Sequence, residues 1–185
     1  MFHTFRDAGK LVLGICNGFQ ILLKSGLLLP EPQGFGAPAT LTWNDSGRFE
    51  DRWVHLRVTS DRCVFLRGIE TMYLPVAHAE GKFVARDATM LEQLFSAGQL
   101  PLCYVNGSGD ESVSPGDQPL PFPLNPNGSQ ANVAGVCDAT GRVFGLMPHP
   151  ERHLHRTQHP HWTRLPADRK PDGLRLFENA IAYFR

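Results

Sequence analysis

The sequence predicts an α/β fold built around one core, and three observations carry that expectation. Short apolar runs of strand length alternate with segments whose apolar residues recur at helical spacing. At 185 residues the chain is long enough to bury a sizeable core. Hydrophobic residues at 42% and charged residues at 19% describe a globular chain, not a disordered one.

The elements follow in order. Residues 1–8 read as the end of a helix closed by Gly9. Residues 10–15 are an apolar run of the kind found in a buried parallel strand. A helix starts at Asn17, with Phe19, Leu22 and Leu23 inward and Gly26 as its stop, and residues 30–38 form a Pro/Gly-rich connection. Residues 53–59 alternate, with Val54, Leu56 and Val58 on one face and Trp53, His55 and Arg57 on the other, which predicts a half-buried strand. Further strands are expected at 72–77, 82–86 and 102–105. A helix over 87–97 places Leu91, Leu94 and Phe95 inward, with Gly98 beyond its end. Residues 106–129, rich in Gly, Pro, Ser and Asp, predict a long exposed loop. Strands at 132–137 and 142–147 are joined by a turn at 138–141, and residues 152–170 read as irregular. The last helix, 173–184, carries Leu174, Phe177, Ile181 and Phe184 on one stripe.

Composition narrows the function. Lys plus Arg and Asp plus Glu both total 18, so the chain lacks the broad cationic field of a non-specific nucleic-acid or membrane-surface binder. No apolar run reaches the length of a membrane span; residues 21–30 come nearest and are interrupted by Lys24 and Gly26. Residues 1–10 lack the apolar core of a secretory signal, so the expected location is cytoplasmic. Cys16, Cys63, Cys103 and Cys137 are far apart, with no CxxC pair to indicate zinc or a redox dithiol. Histidines crowd residues 149–161, but Pro150 and Pro160 break the spacing a helical metal site needs, and no metal is expected. Asn106-Gly107-Ser108 and Asn127-Gly128-Ser129 match the glycosylation pattern, which a cytosolic chain does not use. The charged stretch 45–62 fits either a docking surface or a solvated strand face.

Two motifs carry chemistry. Gly14-Ile15-Cys16-Asn17-Gly18 follows an apolar strand and opens a helix, the cysteine form of the G-x-nucleophile-x-G elbow. Its glycines permit a tight strand-to-helix turn, and the helix N-terminus favours a Cys16 thiolate. The Asn17 amide, unpaired by the helix, can point at a developing oxyanion. Met147-Pro148-His149-Pro150-Glu151-Arg152 ends the last predicted strand. Its prolines bias the segment to extended backbone, where His149 and Glu151 share a face. Nucleophile, base and a partner to orient the base are then Cys16, His149 and Glu151.

Gly14-Ile15-Cys16-Asn17-Gly18-Phe19-Gln20 and Gly145-Leu146-Met147-Pro148-His149-Pro150-Glu151-Arg152 resemble signatures of the class I glutamine amidotransferases. More narrowly they resemble the glutaminase subunit or domain of phosphoribosylformylglycinamidine synthases. The resemblance runs on through Ser46-Gly47-Arg48-Phe49-Glu50, Pro75-Val76-Ala77-His78-Ala79-Glu80-Gly81 and Asn125-Pro126-Asn127-Gly128-Ser129, in the family's order. It implies a flavodoxin-like sandwich with a central, mostly parallel sheet in a single domain over 1–185. It also implies a triad of Cys16, His149 and Glu151, with glutamine as substrate. Ammonia then passes to a synthetase subunit or domain, which uses ATP and magnesium to aminate formylglycinamide ribonucleotide; this domain itself holds no cofactor. Gln20, His78 and Glu80 are candidates for the border of the substrate pocket, or else polar residues that finish turns. The family begins with a strand, a helix, a second strand and a glycine-rich loop that gives another oxyanion-hole amide. Nothing before Gly14 resembles that loop, so the chain is expected to be truncated at its N-terminus, with Met1 an internal methionine. Two other readings use the same residues: a catalytically silent module for assembly or regulation, and a triad hydrolase of related topology such as an intracellular peptidase.

Overall fold

In the computed structural model, which describes residues 2–31, 36–107 and 114–185, the chain begins with helix α1 (Phe2–Asp7), strand β1 (Val12–Ile15) and helix α2 (Asn17–Lys24). Strands β2 (Ala39–Thr42), β3 (Glu50–Val58), β4 (Thr71–His78) and β5 (Lys82–Ala85) precede helix α3 (Ala88–Ser96). Strands β6 (Leu102–Val105), β7 (Val133–Cys137) and β8 (Val143–Leu146) lead to helix α4 (Asp172–Ala182). Six strands form one sheet in the order β1-β8-β7-β6-β3-β4, while β2 and β5 make a separate antiparallel pair.

β1 runs parallel to β8, with Val12 opposite Val143 and Ile15 opposite Leu146. The other four ladders of the main sheet are antiparallel. Among the described residues the mostly parallel sheet is therefore confined to the β1–β8 ladder, a correction to the expectation within an α/β sandwich that stands. The reason is local: residues 138–142 reverse the chain between β7 and β8, and a short reversal permits only antiparallel pairing.

β6, β7 and β8 are buried along their whole length because both faces of the sheet are covered. On one side Phe19 and Leu22 of α2, Leu91 and Leu94 of α3, and Phe83 of β5 form an apolar cluster. On the other, Leu56, Leu74, Tyr104, Phe144 and Leu146 pack with Leu176 of α4. Asp87 caps α3 by accepting the Met90 amide, as an N-terminal Asp does. Beyond its other end Gly98 takes φ +67°, a left-handed conformation that ends a helix cheaply only without a Cβ.

β1 and β4 lie at opposite ends of the hydrogen-bond order, yet Cys16 Sγ is 3.8 Å from the Ala77 carbonyl. The sheet's twist accumulates until the end of β4 crosses the ends of β1 and β8. That crossing makes the site.

Several expectations change. β2 was not foreseen, and β5 pairs with it outside the main sheet. β3 begins at Glu50, inside the charged stretch, and Val58 is half-buried. In the expected exposed loop, Asn125, Asn127 and Ser129 are buried; residues 108–113, with Ser108 of one glycosylation-like triplet, lie outside the described residues, as do 32–35 of the first connection. Residues 152–170 are irregular, as expected, with short 3-10 turns at Arg156–Gln158 and Trp162–Arg164. The α4 stripe is rotated: Leu176 is fully buried, whereas Ile181 and Phe184 are 57% and 59% exposed. Asp172 accepts the Tyr73 amide at 2.9 Å, and Gly173 rests on the Pro150 carbonyl with no room for a Cβ. Those two anchors turn the 172, 176 and 180 positions inward.

Gly145 lies directly under the buried Phe19 ring, where a Cβ would collide with the ring carbons. Gly145→Ala is expected to destabilise the fold by about 1–3 kcal/mol through overpacking, read as a lower urea midpoint at an unchanged slope. An unchanged midpoint would show that Phe19 moves aside freely.

Candidate active site

The site begins where the β1–β8 ladder ends. The Cys16 amide donates to Leu146 O at 2.8 Å, the next step beyond the Ile15–Leu146 pair. Cys16 O then accepts from the amides of Phe19 and Gln20 at 3.0 and 3.3 Å, which starts α2. Between these two demands Cys16 is forced to φ 51° and ψ −107°. A non-glycine residue held there stores about 1–3 kcal/mol of backbone strain. Gly14 makes the turn possible: a Cβ on it would lie 2.7 Å from the Gly18 carbonyl. Gly18 has open space around its own Cβ position, so its part is to let its backbone come close.

Cys16 is half-buried, and burial pushes its thiol above the ordinary value; the Asn17 amide and the Arg152 guanidinium oppose this, and the Glu151 carboxylate adds to it. The amide at the helix N-terminus pulls toward the thiolate, as the sequence suggests, but burial pulls harder the other way. Loss of water at the sulfur outweighs the amide. The Asn17 N–H lies close enough to the sulfur to act on it.

His149 follows β8 with φ −106° and ψ 84°. Its amide donates to Pro75 O at 2.8 Å, so it is tied to β4 two residues before the carbonyl that faces Cys16. Its Nδ1 lies 2.6 Å from Glu151 Oε1, which makes Nδ1 the donor and leaves the lone pair on Nε2. Nε2 is buried without a partner, as is Glu151 Oε2. His149 and Glu151 are joined directly. The Cys16 thiol points instead at Ala77 O and is linked to the pair by the charges of Glu151 and Arg152.

Gln20 Nε2 donates to the Glu80 carbonyl at 2.9 Å, which ties the first turns of α2 to the segment after β4. His78 is buried, and its Nδ1 lies 3.1 Å from Asn44 Oδ1. Burial first, and then the neighbouring His149, hold its imidazole down at about 4. Gln20 thus meets the Glu80 backbone, and His78 follows the Ala77 carbonyl that faces Cys16. Sequence reasoning missed Asn44, Arg152 and the carbonyls of Pro75 and Ala77. Asn44 gave no signal, because Trp43-Asn44-Asp45 reads as an ordinary turn, and backbone carbonyls carry no sequence mark at all.

The histidine-dense segment goes elsewhere. His153 and His159 pack against Trp53 with ring centroids 5.2 and 5.4 Å away, and burial lowers both imidazoles. Among the described residues no three His, Cys, Asp or Glu side chains are placed to hold a metal ion. A cavity of about 860 Å³ opens beside them, lined by His55, Tyr73, Arg169 and Arg175 among others, but no triad residue lines it.

The glutamine amidotransferase domain family described as CobB/CobQ-like matches residues 1–184. The chain belongs to that family. Among curated relatives of this amidotransferase, the phosphoribosylformylglycinamidine synthase subunit PurQ of Dehalococcoides mccartyi is 42% identical over 184 residues, covering 99% of this chain and 67% of the relative. The subunit of the same name from Methanococcus maripaludis is 38% identical over 191 residues, covering 97% and 68%. Among solved structures, PurLQS from Thermotoga maritima aligns with a TM-score of 0.69 at 30% identity, over 99% of this chain and 66% of that one. A glutamine amidotransferase from the same organism shares the fold, with a TM-score of 0.51 at 15% identity over 98% of this chain and 65% of the other. The chain spans about two thirds of the length of the relatives it matches. No helix among the described residues is long and apolar enough to cross a membrane.

A glutamine-mimicking electrophile is expected to alkylate Cys16 and spare the other thiols. Cys63, Cys103 and Cys137 are buried, and burial pushes Cys63 well up and Cys103 up to about 12. Peptide mass mapping checks this, and equal labelling of all four would contradict it.

Proposed function

We propose that the chain is the glutaminase component of a phosphoribosylformylglycinamidine synthase and hydrolyses glutamine through Cys16, His149 and Glu151. The observation that carries this is the 2.6 Å His149–Glu151 pair, whose Nε2 is buried with no protein partner at the end of the sheet that bears the strained cysteine. His149 Nε2 takes the proton from the Cys16 thiol, and the sulfur attacks the side-chain amide carbon of glutamine. The oxyanion that forms meets the Asn17 amide. Glu151 stabilises the imidazolium, which then protonates the leaving nitrogen, so that ammonia departs and a glutamyl thioester remains. Water deprotonated by the now neutral His149 attacks the thioester and releases glutamate, and the proton returns to the sulfur.

Gln20, His78 and Glu80 border the glutamine pocket in this reading. The ammonia passes to a synthetase, which supplies ATP and magnesium for amination of formylglycinamide ribonucleotide to formylglycinamidine ribonucleotide in purine biosynthesis. A cytoplasmic location goes with that pathway. The names of the relatives and their alignment over nearly all of this chain support the reading, as does the synthase structure at 30% identity.

In the complex with the synthetase, Cys16→Ala and His149→Ala are each expected to abolish glutamine-dependent synthesis and leave synthesis from added ammonia largely intact. Ammonia bypasses the thioester. Glu151→Ala is expected to be milder, since it removes orientation rather than the nucleophile or base. Parallel steady-state assays with the two nitrogen donors check this; a Cys16→Ala complex that ammonia fails to rescue contradicts a purely catalytic role.

A further inference from the structure

One side chain outside the motifs quoted above holds the segment that faces the nucleophile. Asn44, two residues beyond β2, is only 2% exposed. Its Nδ2 donates to His78 O at 2.8 Å and to Arg48 O at 2.9 Å. Its Oδ1 accepts from the Gly81 amide at 3.1 Å and from His78 Nδ1 at 3.1 Å. Its own amide donates to Ala79 O at 2.8 Å. All but the Arg48 bond go to residues 78–81.

That segment touches the reacting group on two sides. Ala77 O, just before it, lies 3.8 Å from Cys16 Sγ, and Glu80 O takes the Gln20 side chain of α2 at 2.9 Å. From behind, Asn127 Nδ2 donates to Gly81 O at 2.8 Å. Gly81 leaves space for the imidazole, since a Cβ there would come within 2.5 Å of His78 Nδ1. An amide oxygen opposite Nδ1 selects the tautomer of the neutral imidazole with the hydrogen on Nδ1 and the lone pair on Nε2, which is buried without a protein partner.

We propose that Asn44 is a positioning residue for glutamine hydrolysis: it pins the 78–81 turn against Cys16 and α2, and it sets an uncharged oxygen, where a carboxylate would favour a cation, against the His78 imidazole beside His149. The proposal rests on the reading of Cys16 as nucleophile and His149 as base. His149 becomes cationic each time it takes the thiol proton, and a second cation at His78 would oppose that step. The charged groups that face His78 are Glu50 of β3, itself paired with Arg52 at 2.6 Å, and His149 after β8. Glu50 pulls His78 toward the charged form; burial and His149 prevail.

The test is Asn44→Asp in the full chain assembled with its synthetase. The variant keeps the shape, loses the donations to His78 O and Arg48 O, and sets a carboxylate against Nδ1, which favours a charged His78. Glutamine-dependent kcat is expected to fall at least about tenfold at mildly acidic pH and to recover in part as the pH rises, while ammonia-dependent synthesis is unchanged. Adding His78→Gln, which cannot titrate, is expected to remove the pH-dependent part of the loss. Equal loss with both nitrogen donors, or a pH profile parallel to the parent's, would overturn the proposal, because a merely structural asparagine moves neither. Should Asn44→Asp not fold, the parent's His78 Cε1–H proton resonance, assigned with His78→Gln, decides. No titration above pH 5 supports the neutral imidazole, and a midpoint near the ordinary histidine value of about 6.5 overturns it. Glutamine-dependent activity in a Cys16→Ala control would instead sink the nucleophile reading, whatever Asn44 does.

Discussion

The parallel ladder between β1 and β8 is the constraint on which the rest depends. With Ile15 opposite Leu146, the chain leaves both strands at the same end of the sheet, one into the elbow and the other into the His149 segment. Antiparallel pairing would separate those exits by the length of the strands, at about 3.3 Å per residue. The Cys16 amide takes the next ladder position, so the nucleophile's backbone is fixed before its side chain is placed. β4 then closes the site from the opposite edge of the sheet: Pro75 O holds the His149 amide, and Ala77 O faces the thiol.

Two costs are built into this arrangement. Cys16 carries a left-handed φ that only the ladder and the start of α2 enforce. The thiol is also desolvated, so it resists ionising until a base and a charge distribution favour the transfer. Both costs fit a nucleophile that is idle without substrate. The same desolvation, carried further, renders Cys103 inert at about 12. Burial thus separates four chemically identical thiols into one reactive candidate and three packing residues. The imidazoles divide in the same way. His149 is paired with Glu151, whereas burial holds the His78 imidazole down beside an amide oxygen, and the histidines at 153 and 159 pack on Trp53.

Much of this was legible in the sequence. The apolar runs at β6, β7 and β8 are strands because both faces of those strands are covered, and that leaves a continuous apolar mark. The elbow and the His149 segment were legible because glycine and proline restrict the backbone in ways sequence records. β2 was not: four residues after a Pro/Gly-rich stretch carry too little alternation to read, and distant partners hold them, β5 by its ladder and the core by burial of Ala39 and Leu41. The α4 face was misjudged because Asp172 and Gly173, a polar residue and one without a side chain, set its rotation through contacts with Tyr73 and Pro150. Asn44 and the buried Asn125–Ser129 turn were hidden for a similar reason. Polar residues satisfied by distant backbone look, in sequence, like residues satisfied by water.

The central claim is that one thiol, placed by the β1–β8 ladder, carries the glutamyl group. Rapid acid quench of the assembled enzyme during glutamine turnover, followed by peptide mass mapping, tests it most directly. The account predicts a glutamyl thioester on the peptide that contains Cys16 and on no other. A thioester on the Cys63, Cys103 or Cys137 peptide, or sustained turnover in a Cys16→Ala complex, would contradict it.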